Sequence, residues 1–181
     1  MLRPHSAGFT RMDLRTGSVR DEFIAVTQEY FDWMNGQIIE ACRFSIPDIV
    51  GMSIPAYVRH TTDIACQIGP EHGGIYCHRT ADGALMSIGG LRRLPDGPAE
   101  IVRIFTRPAF RGKGLGSAAV DQLIGAARRL GYDCIRLDTA VFMTSAQKIY
   151  RAAGFCERTP YPGAEPPPQL LPFWLFMERT L

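Results

Sequence analysis

The sequence predicts one α/β domain of the α+β type, in which helices flank a central mixed, mostly antiparallel twisted sheet. Three observations lead to this fold class. The 181 residues, 46% hydrophobic and 21% charged, suffice for one domain with a single core, which we assign to residues 1–181. Strand-like patterns begin near Gly74 and recur to the C terminus. Between residues 100 and 130, a strand, a glycine-rich loop and a long amphipathic helix follow one another.

The N-terminal third is predicted to be mainly helical. Residues 9–14 favour a short strand, and the segment from Ser18 to Asp21 has the Ser-x-x-Asp pattern of a helix start. Apolar residues then recur at helical spacing: Phe23, Val26, Tyr30 and Met34. Because prolines interrupt the following stretch, we expect separate helical pieces near residues 35–43 and 55–66.

The remainder predicts strands and two helices. Residues 75–79 and 84–91 form a hairpin around the turn dipeptide Asp82-Gly83, and a third strand covers residues 100–106. A helix from Gly114 to Leu130 has one apolar stripe, with Gly131 placed to end it. A strand at 134–139 is followed by a helix that starts with a Thr144 to Gln147 box and ends near residue 153. Strands at 155–159 and 173–179 flank a proline-rich loop, residues 160–172.

Composition argues against several classes of protein. The formal net charge is +2 without any run of like charge, so we expect no nucleic-acid and no membrane binding. Residues 1–10 contain no apolar stretch of signal-peptide length, and we expect a cytoplasmic protein with five free cysteines. His72, Cys77 and His78 lack the partners of a tetrahedral site, so we expect no metal. The aromatic segment 173–177 is a candidate edge strand for a homodimer.

The glycine-rich loop at residues 111–117 predicts an anion-binding site. Its alternating glycines let backbone N–H groups converge, and the helix that follows adds its positive end. A Walker loop would need Gly at the position of Arg107 and Ser or Thr at that of Gly114. A dinucleotide fingerprint would need a third glycine at Ser117 and a loop directly behind its strand. Acyl-coenzyme A is the third class of ligand.

Arg111, Gly114 and Gly116 match the Arg/Gln-x-x-Gly-x-Gly/Ala signature, and the chain thereby resembles the GNAT superfamily of N-acetyltransferases. Tyr150 and Gly154-Phe155 follow at the spacing of that family. The resemblance implies a GNAT-like sheet that is splayed at the acyl-CoA site, and acetyl-CoA as co-substrate. It also implies coenzyme contacts from two segments: Ile104, Phe105 and Thr106 along the pantetheine, and Arg111, Gly112, Lys113, Gly114, Leu115, Gly116 and Ser117 at the pyrophosphate.

Two residues are candidates for proton transfer. In similar enzymes the tyrosine that matches Tyr150 protonates the departing coenzyme sulfur, although a partly buried tyrosine is also a common core residue. Glu100 lies eleven positions before Arg111, which resembles the general-base spacing of the histone acetyltransferase branch. A solvated strand-edge glutamate, with ordered water as the base, is the alternative. We interpret Asp138 and Thr139 only as a strand-end hydrogen-bonding pair.

The resemblance implies transfer of an acetyl group to a primary amine of a small molecule or peptide, by direct attack in a ternary complex. Its acceptor would enter between the N-terminal helices and the proline-rich loop, where Glu165 is an acidic candidate for attracting an amine. One departure from the family is Met143 at the position of a pantetheine-binding asparagine, for which Thr144 or Ser145 would substitute. A CoA-binding regulatory module without catalysis is therefore the alternative.

Overall fold

Within residues 8–181, which the computed structural model describes, seven strands form one sheet. They are β1 (Thr10–Arg11), β2 (Gly74–Arg79), β3 (Leu85–Arg93), β4 (Ala99–Thr106), β5 (Cys134–Ala140), β6 (Cys156–Arg158) and β7 (Trp174–Thr180). Their order is β1-β2-β3-β4-β5-β7-β6, and every pair is antiparallel except β4 with β5. The predicted mixed, mostly antiparallel sheet is confirmed. Residues 1–7, which belong to the segment expected to lack a signal peptide, lie outside the described residues.

Helices cover both faces of this sheet. They are α1 (Gly17–Cys42), α2 (Ile46–Val50), α3 (Ile54–Cys66), α4 (Leu115–Arg129) and α5 (Thr144–Ala152). The α4 helix buries Leu123 and Ala127 against Leu91 and Ile135. On the opposite face, α1 buries Phe23 and Val26 against Ile88 and Phe105. This division follows from the strand pleat, which sends successive side chains to opposite faces.

The N-terminal helical region differs from the prediction. A single helix of 26 residues joins the helix predicted from Ser18 to the piece expected at 35–43, because the buried positions continue at helical spacing through Phe31, Met34, Ile38 and Cys42. The piece expected at 55–66 is present as α3. The chain then turns into α2, which was not predicted. Ser45 caps this helix: its hydroxyl accepts a hydrogen bond from Asp48 N, and its own N–H donates to the Asp48 carboxylate at 3.0 Å.

Neither predicted helix-start box forms. The α1 helix begins at Gly17 after Thr16, without a side-chain cap, and α5 follows Met143 without one. The Gln147 amide is engaged elsewhere, since it donates to the carbonyls of Ala140 and Val141 at 3.0 and 2.9 Å. These two bonds tie the start of α5 to the end of β5.

The hairpin, the α4 helix and the C-terminal strands agree with the prediction, with one exception. The β7 strand lies between β5 and β6: β5 pairs along its whole length, and β6 pairs on its other side from Phe176 to Glu178. Its assignment as an edge strand is wrong. The reason is topological: β6 follows α5 and pairs on the outer side of β7, where it forms the edge.

Candidate functional site

The sheet opens at its centre. The β4 and β5 strands pair at only two positions, Ala99 with Ile135 and Glu100 with Arg136, and then separate. The space between them, which we call the central cleft, holds about 1190 Å³ including the part open to solvent. Residues from both strands, from α1 and from α5 line it, among them Ile104, Phe105, Thr106, Asp138, Thr139 and Tyr150. The predicted splay is therefore present.

An irregularity in β4 directs Arg103 toward this cleft. The register with β3 shifts between Ile88 and Gly90, and Arg103 has a φ of 55°, a left-handed conformation that is strained for a residue with a side chain. Its Nη1 donates to the Thr61 carbonyl at 3.2 Å. Its Nε is buried and has no hydrogen-bond partner among the described residues.

The glycine-rich loop closes one end of the cleft. Gly112 and Gly114 have φ of 76° and 77°, which explains the need for glycine at both positions. The first hydrogen bond of α4 runs from Ala118 N to Gly114 O, so the N–H groups of the first helical turn have no intrahelical partner and are free for an anion.

The side chain of Arg111 packs against the cleft wall. Its Nε donates to the Thr106 carbonyl at 3.1 Å, and its guanidinium lies 5.2 Å from the ring centre of Trp33. Of the seven loop residues predicted to contact the coenzyme, Arg111 and Gly116 line the cleft. The other five, Gly112, Lys113, Gly114, Leu115 and Ser117, lie on the same loop or helix start outside the cleft wall.

Tyr150 lies on the α5 side of the cleft. Its side chain is buried, and its ring meets Phe155 edge to face at 6.2 Å between centroids. No described residue hydrogen-bonds its hydroxyl, and Tyr150 is among the residues that line the cleft. Burial raises the pKa of Tyr150, with a smaller contribution from Asp138, so the phenol keeps its proton at neutral pH. Met143, Thr144 and Ser145 line the cleft beside it.

Asp138 is the residue that sequence reasoning missed. It lies on β5 opposite the separated part of β4, and its Oδ1 accepts a hydrogen bond from Trp174 Nε1 at 2.8 Å. Burial, then the like charges of Glu100 and Glu165, raise the pKa of Asp138 to about 7. The available signal is an acidic residue between two apolar stretches of a strand. The strand-end pair expected of Asp138 and Thr139 does not form, because Asp138 accepts from Trp174 and Thr139 interacts with Met143 Sδ.

Glu100 is placed differently from either sequence interpretation. The side chain is fully buried, so its assignment as a solvated edge residue is wrong. Its carboxylate pairs with Arg92 and accepts a 2.8 Å hydrogen bond from the Tyr161 hydroxyl. It is not among the residues that line the central cleft. Burial raises the pKa of Glu100 to about 7, against the opposing effect of Arg92.

A second cavity adjoins the cleft at Asp138 and Tyr30, which line both. We call it the apolar pocket. Its walls come from α1, α2, α3 and the proline-rich loop, and include Phe31, Met34, Ile38, Ile49, Leu170 and Trp174. Glu165 lies at this pocket on the proline-rich loop. Arg92 anchors the loop, donating to the Gly163 carbonyl at 2.7 Å and lying 3.9 Å from the Glu165 carboxylate.

Two further observations concern residues 8–181. No three His, Cys, Asp or Glu side chains in this part of the chain group closely enough to hold a metal ion, and the expectation of no metal stays a prediction. None of the helices described has the length and apolarity needed to cross a bilayer.

Comparison with known proteins identifies the family. Residues 39–155, more than half of the chain, match the model of the Acetyltransferase (GNAT) family. An IAA acetyltransferase of Azospirillum brasilense is 27% identical over 133 residues, which cover 73% of this chain and 83% of that protein.

Solved structures share the fold. An acetyltransferase from Streptococcus agalactiae superimposes with a TM-score of 0.66 at 16% identity, covering 88% of this chain and 92% of that one. A Bacillus subtilis acetyltransferase in complex with CoA gives 0.51 at 22% identity, covering 61% and 78%. The predicted fold class is confirmed. The chain belongs to the GNAT family of acetyltransferases and is an acyl-CoA-dependent N-acetyltransferase.

Proposed function

We propose that the protein transfers the acetyl group of acetyl-CoA to a primary amine of a small molecule or peptide, by direct attack in a ternary complex. One observation carries this proposal: a carboxylate, Asp138, and a phenol, Tyr150, line the same cleft, and Asp138 also lines the adjoining pocket. A proton acceptor on the pocket side and a proton donor in the coenzyme cleft are the two groups that aminolysis of a thioester needs.

The coenzyme is held by the glycine-rich loop and β4. The unpartnered N–H groups at the start of α4 suit the pyrophosphate, together with the positive end of the helix. Ile104, Phe105 and Thr106 line the path of the pantetheine arm. Thr144 and Ser145 are in the cleft beside Met143, where their hydroxyls substitute for the missing asparagine of the family. The Bacillus subtilis neighbour, which was solved with CoA, supports a coenzyme in this fold.

Asp138 is the proposed general base. The amine nitrogen attacks the thioester carbonyl carbon, and the Asp138 carboxylate takes the proton that the nitrogen loses. A base whose pKa is about 7 is ionised in a useful fraction at neutral pH and still holds a proton well enough to accept one. Trp174 keeps Oδ1 oriented by its 2.8 Å hydrogen bond, which leaves Oδ2 for the amine.

Tyr150 is the proposed general acid. When the tetrahedral intermediate collapses, the carbon–sulfur bond breaks and the phenol donates its proton to the coenzyme sulfur. Burial keeps the phenol protonated across the pH range in which Asp138 is ionised, so the proton is present when the sulfur departs. After the products leave, Asp138 releases the amine proton to water and the Tyr150 phenolate takes a proton from water, which restores both groups. Glu100 remains the competing candidate for the base, although Arg92 and Tyr161 occupy its carboxylate.

A thiol-release assay tests the proposal. Purified protein is mixed with acetyl-CoA and single amines from a panel of alkylamines, arylalkylamines, amino acids and short peptides, and free CoA is measured together with the product mass. We expect CoA release that depends on an amine, with a product heavier by one acetyl group. Tight binding of CoA in calorimetry with no release for any amine would instead favour the regulatory module.

A further inference from the structure

We infer that the acceptor is a small α-amino acid with an apolar side chain, whose carboxylate binds Arg103 while its amine faces Asp138. This inference rests on the proposed function, since it names the class of amine that the same site acetylates. Three features carry it: an arginine without a carboxylate partner, an aspartate that lines the same cleft and has one oxygen without a hydrogen-bond partner, and an apolar pocket that adjoins the cleft at this aspartate.

Arg103 makes no ion pair with any carboxylate of residues 8–181. Within residues 8–181, the half-buried arginines Arg92, Arg107 and Arg136 each pair with at least one carboxylate. Arg179 bonds a backbone carbonyl instead, and its side chain does not line the cleft. Arg103 pairs with none, and its Nε is buried without any hydrogen-bond partner. A guanidinium withdrawn from water without a counter-charge is unfavourable, and an anionic ligand relieves that cost.

The backbone at Arg103 supports a role in binding. A left-handed φ of 55° costs energy for a residue with a side chain, and such strain persists mainly at functional sites. It follows from the register shift in β4, which breaks the strand's regular alternation at this position. The guanidinium then lies against α3, where Nη1 contacts the Thr61 carbonyl, and still lines the central cleft. Its remaining donors suit the planar fork of a carboxylate.

The positive and negative groups share one space. Tyr30 lines both the cleft and the apolar pocket, Asp138 lines both as well, and Arg103 lines the cleft. Burial raises the pKa of Tyr30, the carboxylates of Glu165 and Asp138 raise it further, and Arg103 opposes them. Arg103, Asp138 and Tyr30 all line the central cleft, and Arg103 and Asp138 do not pair with each other. A ligand that carries an ammonium and a carboxylate on one carbon fits between such groups.

The apolar pocket selects the third substituent. Phe31, Met34, Ile38 and Leu170 provide walls for an aliphatic or aromatic side chain. Its charged lining residues are Asp138 and Glu165, and Glu165 already faces Arg92. A second cationic group on the acceptor therefore has no free carboxylate deep in the pocket. This favours a hydrocarbon chain over a side chain with a second cationic group.

Matched acceptors that differ by one carboxylate test the inference. L-Phenylalanine is compared with phenethylamine, and L-leucine with isoamylamine, by the kcat/KM of CoA release. Because a charge-assisted hydrogen bond is involved, we expect the amino acid to be preferred by roughly 10-fold to 100-fold in each pair. Wild-type protein that prefers the amines, or shows no preference, overturns the inference without any variant.

Arg103→Met and Arg103→Lys locate the preference. We expect the Met variant to lower the ratio of amino acid to amine to within roughly 3-fold, and the Lys variant to retain part of it because the charge stays while the planar fork is lost. An unchanged ratio in Arg103→Met overturns the assignment to Arg103. If the Met variant does not fold, the Lys variant and the wild-type ratio still decide. Release of CoA with amines but not amino acids refutes this inference alone, whereas no release with any acceptor refutes the proposed function as well.

Discussion

Replacing Asp138 with Asn tests whether Asp138 or Glu100 is the general base, because burial raises the pKa of both carboxyls to about 7. Asn keeps a carbonyl oxygen as the acceptor for Trp174 Nε1, so the contact of 2.8 Å and the orientation of the side chain can be retained. What is lost is the ability to take a proton from the amine. The matched control is Glu100→Gln, because burial also raises the pKa of Glu100 to about 7, yet Glu100 does not line the cleft.

The expected loss follows from the role of the group. A positioned general base contributes about 10²-fold to 10⁴-fold to the rate, which corresponds to about 3 to 5 kcal/mol of activation free energy. We therefore expect kcat of Asp138→Asn to fall by that factor, with the affinity for CoA within about 2-fold of wild type. In the wild type, kcat/KM should rise with pH and level off above about 7, because the carboxylate is the active form.

The assay is a pH profile of CoA release from pH 5 to 9 for the three proteins, with CoA binding measured by calorimetry at each end. Asp138→Asn should lack the acidic limb near pH 7, and Glu100→Gln should keep it. The opposite pattern, in which Glu100→Gln loses the limb and Asp138→Asn retains more than about a third of the activity, would refute our assignment of the base.

Three other predictions concern the acid, the loop and stability. Tyr150→Phe should lower kcat by about 10-fold to 100-fold in the same assay while the Kd for CoA changes little, and an unchanged kcat would remove the acid role. Gly114→Val should weaken CoA binding by about 10-fold in calorimetry, because φ is 77° although the space around the new Cβ is open. Gly131→Val, with a φ of 78° and equally open space at the other end of α4, is its control and should lower stability while leaving CoA affinity intact. The stability that Asp138 contributes is fully present below its ordinary pKa of 3.8 and is lost as pH rises through about 7. In urea unfolding at pH 8.5, Asp138→Asn should therefore be more stable than wild type by about 1 to 3 kcal/mol. At pH 4 the variant should not be more stable than wild type. Equal stability at both pH values would mean that the carboxyl is not buried in solution.

Elements with local signals were predictable from the sequence. The Asp82-Gly83 turn between alternating residues indicates a hairpin, and glycines at both ends of an apolar stripe delimit α4. The continuity of α1 was not predictable from the sequence. The helix continues past residue 35 because α3 and Leu170 pack on its C-terminal half. Tertiary packing there overrides weak local preferences.

The candidate site was predictable only where its chemistry lies in one segment. The glycine-rich loop and Tyr150 were predicted because the spacing of these residues in the sequence matches that of the family. Asp138 was not, because its environment depends on the separation of β4 from β5 and on Trp174, 36 residues away. The burial of Glu100 likewise depends on Tyr161, 61 residues away.

The two residue pairs that join β4 to β5 also have a mechanical consequence. All other ladders except the short β1 and β6 edges extend along several residues, so the sheet consists of two well-bonded halves with a narrow bridge between them. The α4 helix packs on β3 and β4, and α5 is tied to β5 through Gln147. The α4 helix also packs on Ile135 of β5 and against α5, so helix packing holds the two halves together where the strands separate. The coenzyme loop and Tyr150 lie on different halves, and the distance between them therefore depends on the packing of α4 against α5.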